Sequence, residues 1–101
     1  MASVADLVEN AALESLATPS NRRLGRQIVA EGGVELTTFA PLHVTATVGP
    51  TPASPQKRTV DLRVEDGRLR WSCTCTRRAD LFCKHCVAAA VIAWERAPKR
   101  L

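Results

Sequence analysis

Within WSCTCTRRADLFCKHC, the residues Cys73, Cys75, Cys83 and His85 read C-x-C, a seven-residue spacer, then C-x-H. Three thiolates and one imidazole are a complete tetrahedral donor set for a zinc ion. Cys86 adds a fifth candidate, because Cys83 and Cys86 form C-x-x-C. Neighbouring residues of a helix point about 100° apart, so His85 and Cys86 cannot both face one ion comfortably. The residues alone therefore leave two donor sets open, one with His85 and one with four cysteines. A set closed by four protein ligands keeps no position for substrate, which points to a structural ion and not a catalytic one.

The cysteines favour metal over disulfides. The first twenty residues carry Asp6, Glu9 and Glu14 and no Lys or Arg. That opening lacks the positive start and apolar stretch of a secretory signal. A cytoplasmic, reducing setting is therefore expected, where clustered thiols bind metal more often than they pair. No apolar run approaches the roughly 20 residues of a membrane span. A thiol redox role for the C-x-x-C is ranked lower, since the βαβ setting of such motifs is absent.

Other chemistry is sparse. There is no phosphate-binding loop, no paired carboxylates and no nucleophile–base constellation. The expectation is a protein without enzyme activity and without a small-molecule substrate. The first twenty residues carry −3 and the remainder +7, which together give the net charge of +4. Arg63, Arg68, Arg70, Arg77, Arg78 and Lys84 form the best candidate surface for nucleic acid. Arg22, Arg23 and Arg26 read as a solvated helix face, and His43 as an exposed strand residue. The aromatics Phe39, Trp71, Phe82 and Trp94 read as core.

The elements that must position the cluster follow from periodicity. Residues 3–16 read as one helix, with Ser3 and Asp6 as a capping box. Thr18-Pro19 opens a second helix to about Ala30, which Gly32 and Gly33 stop. From Val34 the period changes to two. Leu42, Val44, Ala46 and Val48 share one strand face, as do Val60, Leu62 and Val64 on the next strand, and Leu69, Trp71 and Cys73 on the last. The segment GPTPASPQ reads as a mobile loop, and Asp66-Gly67 as a hairpin turn. A last helix spans about Lys84 to Ala97, with Pro98 marking its end. It is apolar nearly all round, so either the N-terminal helices or a partner protein must cover it.

The ligand order and the strand–loop–helix setting resemble the SWIM-type zinc finger over roughly residues 34–95. Cys73-Thr74-Cys75 and Cys83-Lys84-His85 match its C-x-C and CKH elements, and Val87, Ala88 and Ala89 supply the apolar helix that follows. Thr76 departs from the proline common after the second cysteine. The resemblance implies His85 as the fourth ligand, with Cys86 a buried apolar residue. It also implies one structural Zn2+, a β-β-α core, and recognition of DNA or of a protein. The predicted class is α+β: N-terminal helices, a small antiparallel sheet of three or four strands, a zinc knuckle and a C-terminal helix. Residues 1–33 form a helical lead-in and 34–101 the finger domain. A protein–protein adaptor docking through the last helix is the alternative function.

Overall fold

A computed structural model describes residues 3–75 and 81–97. The elements are α1 (Val4–Leu7), α2 (Asn10–Leu16), α3 (Pro19–Ala30), β1 (Val34–Ala40), β2 (His43–Val48), β3 (Arg58–Glu65), β4 (Arg68–Cys73) and α4 (Lys84–Arg96). The strands form one antiparallel sheet in the order β1-β2-β3-β4. This is the predicted α+β arrangement. Asp66 and Gly67 both take positive φ, 53° and 74°, which is the backbone of the predicted tight hairpin. Alternation sends Val44, Ala46, Val48, Val60 and Leu62 into the core.

The first predicted helix is two helices. Ser3 and Asp6 do form the capping box, with Asp6 N–H donating to Ser3 Oγ at 3.2 Å and Ser3 N–H to Asp6 Oδ2 at 2.9 Å. The break falls at Val8 and Glu9. On a straight helix Leu13 would point about 180° away from Val4. The break lets Val4, Val8 and Leu13 all enter the core, where each is fully buried. Val4 N–H also donates to Pro41 O at 2.7 Å, which docks α1 on the β1–β2 turn.

Helix α4 packs on all four strands, and α3 and α1 pack on it. The N-terminal helices therefore cover its second side. His85 to Val91 and Ala93 are all buried. Pro98 lies outside the described residues. Trp94 and Phe39 are exposed, not core, at 40% and 45%. Leu42 sits in the turn before β2 and is likewise exposed. No helix among the described residues is long and apolar enough to cross a membrane.

Residues 49–57 are tied down on several sides, contrary to a mobile loop. Thr51 and Ser54 exchange backbone hydrogen bonds at 2.7 and 3.0 Å. Ala53 N–H donates to Glu31 Oε1 at 3.1 Å, and Gly49 N–H to Gly33 O at 2.7 Å. Ala53 also holds the Glu31 carboxyl below its usual range, chiefly through that backbone hydrogen bond.

Gly25 sets the spacing between α3 and the first turn of α4. A Cβ there would lie 2.5 Å from Val87 Cγ1 and 2.9 Å from Lys84 O. Gly25→Ala gains helix propensity but forces the helices apart, and overpacking of this kind costs about 1–3 kcal/mol. The variant is expected to unfold at lower temperature and lower denaturant than the parent. Equal or higher stability would show that the two helices separate freely.

Candidate metal centre

The four sequence-predicted ligands converge. Cys73 is the last residue of β4, on the inward face with Leu69 and Trp71. Thr74 and Cys75 follow in a turn, so Cys75 does not sit on the strand as i+2 spacing implied. Thr74 N–H still donates to Thr59 O at 3.2 Å, which keeps the turn on the sheet. Across the spacer, Phe82 packs edge-on against Trp71, with ring centroids 5.2 Å apart. That contact returns the chain to the sheet directly before Cys83.

Cys83 is the N-cap of α4, and its side chain makes no capping bond. The sulfur faces the cluster instead. Cys75 Sγ and Cys83 Sγ are 3.4 Å apart, and Cys83 Sγ lies 3.6 Å from His85 Nδ1. The donor atoms of Cys73, Cys75, Cys83 and His85 all lie within 4.8 Å of one another. A tetrahedral zinc with bonds of about 2.0–2.3 Å places its ligand atoms roughly 3.5–3.8 Å apart. The residues present therefore fit one such ion. Cys83 and His85 are buried, whereas Cys73 and Cys75 are half-buried. Cys86 Sγ is 3.8 Å from Cys83 Sγ but is not among the four donors that meet.

The far nitrogen of His85 also has a partner. His85 Nε2 is 3.0 Å from Ser54 Oγ, and both residues are buried. Ser54 was not anticipated from the sequence, since it stands 31 positions away in a proline-rich segment and carries no spacing signal. Lys84, adjacent in sequence, donates from Nζ to Ala53 O at 2.9 Å in the same segment.

Ionisation in the metal-free cluster reflects crowding of like groups. Hydrogen bonds from Cys73, Cys86 and His85 hold the Cys83 thiol well below its usual range. Burial, then contact with Cys73 and Cys83, pushes Cys75 up to about 12. Hydrogen bonds to Cys73 and Cys83, with burial, raise Cys86 as well. Burial works against a charged His85, but hydrogen bonding and attraction to Cys73 and Cys83 prevail and raise it to about 9.

The predicted basic surface is only partly free. Arg63 Nε pairs with Glu65 Oε1 at 3.1 Å and lies 4.0 Å from Asp61 Oδ1. Lys84 is engaged by Ala53, as above. Arg68 and Arg70 are exposed on β4, opposite Glu65 and Arg63. Arg77 and Arg78 lie outside the described residues. His43 is exposed as expected, but it has a partner in Asp61 Oδ2 at 2.9 Å. Only the β2–β3 register reveals that pair, since it sets the two residues on adjacent strands.

Comparison with known protein families, with curated proteins and with solved structures returns no match. The class defined by fold and site is thus a small α+β protein with a Cys/His metal-binding cluster joining sheet to helix.

Metal uptake must strip protons from Cys75 and His85. The His85 ring has an ordinary value near 6.5 and a raised value of about 9 here, so it is mostly protonated at neutral pH. Affinity for zinc is therefore expected to rise between pH 7 and 9. Calorimetry in buffers of different ionisation enthalpy should register proton release. Binding without proton release would contradict this description of the cluster.

Proposed function

We propose that this chain is a non-catalytic recognition module whose fold is closed by one structural zinc ion. The convergence of three sulfurs and His85 Nδ1 at the β4–α4 joint carries the reading. Thiolates with imidazole suit a borderline-soft ion of tetrahedral preference, which favours zinc over magnesium or calcium. With four protein ligands the ion has no open position for a substrate. Its contribution is folding free energy, on the order of 10 kcal/mol or more in small zinc modules. Native mass spectrometry of the purified protein is expected to show one zinc per chain. Chelation is expected to remove the ion and the folded circular-dichroism signal together. A fully folded, metal-free preparation would contradict the reading.

Nucleic acid is the partner we propose first. Arg68 and Arg70 support it, since both are exposed and neither has an ion pair among the described residues. Binding should weaken steeply as salt rises, and Arg68→Ala with Arg70→Ala should flatten that dependence by about one unit of slope per lost phosphate contact. No detectable binding at low salt would leave the protein–protein reading. Exposed Phe39, Leu42 and Trp94 favour that alternative. It no longer relies on the body of α4, which the fold itself covers.

A further inference from the structure

We infer that Ser54 is a positioning residue for the metal centre, selecting the nitrogen through which His85 coordinates and coupling closure of the 49–57 segment to metal occupancy. The inference rests on the zinc reading above and adds a residue and a segment to it.

The Ser54 hydroxyl has a single proton to donate. Ser54 Oγ donates to Gln56 O at 3.2 Å. Its lone pairs are then what remains for His85 Nε2, 3.0 Å away. With the hydroxyl proton directed at Gln56 O, Nε2 carries a hydrogen, and a neutral ring with hydrogen on Nε2 presents its lone pair on Nδ1. Nδ1 is the nitrogen that faces Cys83 Sγ. Second-shell acceptors of this kind orient a ligating histidine and raise its basicity.

The position of the hydroxyl depends on the whole segment. Ser54 N–H donates to Thr51 Oγ1 at 3.0 Å, closing a short turn. Gly49 enters that turn at φ 88°, and a Cβ on it would lie 2.6 Å from Ser54 O and 2.8 Å from Gln56 O. At Ala53, directly before Ser54, the N–H donates to Glu31 and the carbonyl accepts from Lys84. Lys84 and His85 flank the start of α4, so one turn of helix grips two consecutive residues of the segment. Coupling of this kind is reciprocal. Whatever factor the closed segment adds to metal affinity, the bound metal adds to closure.

The test uses the full zinc-loaded chain. Ser54→Ala is expected to weaken zinc affinity about 10–100-fold in chelator competition. The same variant should exchange the Ala53 and Ser54 amide hydrogens faster, with β2 unchanged. Thr51→Val removes the Thr51 hydroxyl from the same turn but keeps the Ser54 hydroxyl, and should retain affinity within a few-fold. Nitrogen-15 spectra of the parent should show His85 coordinated through Nδ1 and protonated at Nε2. Coordination through Nε2, or parent-like affinity in Ser54→Ala, would overturn the inference and leave the zinc site standing. Equal losses in Ser54→Ala and Thr51→Val would also overturn it, because turn integrity and not the hydroxyl would then be responsible. A parent protein that takes up no zinc would instead remove the reading on which the inference rests.

Discussion

Everything in this fold that faces the β4–α4 joint depends on holding several sulfurs within van der Waals contact of one another. Cys75 and Cys83 approach to 3.4 Å in a largely buried setting. Thiols can share such a space through hydrogen bonds, but thiolates repel strongly at that range and low polarity. A divalent cation reverses the sign of that interaction. The same crowding that penalises the metal-free thiolates becomes attraction to a common centre. The ion would then join the last strand to the last helix.

The rest of the molecule keeps that joint in register. Helix α4 lies between the sheet and α3, and the absence of a side chain at Gly25 lets α3 press against Val87 and Lys84 O. Helix α4 is thereby held between α3 on one side and the sheet on the other. Trp71 and Phe82 meet edge-on just ahead of the cysteines that follow them. A displacement of either helix would move Cys83 and His85 together relative to Cys73 and Cys75. The N-terminal helices therefore belong to the metal centre's support as much as to the core.

What was legible in the sequence was local. The donor set lies within thirteen residues, so its spacing could be read directly. The capping box of Ser3 and Asp6, the Thr18-Pro19 helix start and the Asp66-Gly67 turn are likewise short-range, and all three appear where expected. The features that escaped are tertiary. The break at Val8–Glu9 arises because Leu13 must reach the same core as Val4, which periodicity alone does not show. Ser54 meets His85 only because the 49–57 segment folds back over the start of α4. Phe39 and Trp94 have core-like side chains, but Phe39 lies near the end of an edge strand and Trp94 near the end of a helix, and the described elements do not cover them. Lys84 reads as a free cation in sequence and is held by a backbone carbonyl in the fold.

The central claim is that one ion is bound by three sulfurs and one imidazole nitrogen. X-ray absorption at the zinc edge of the native protein tests it most directly. Three sulfurs at about 2.3 Å and one nitrogen at about 2.0–2.1 Å are expected, with the multiple-scattering pattern of a single imidazole. Four sulfurs would place Cys86 in the site and His85 outside it. An oxygen ligand from solvent would mean an open centre. Either result would contradict the closed structural site described here.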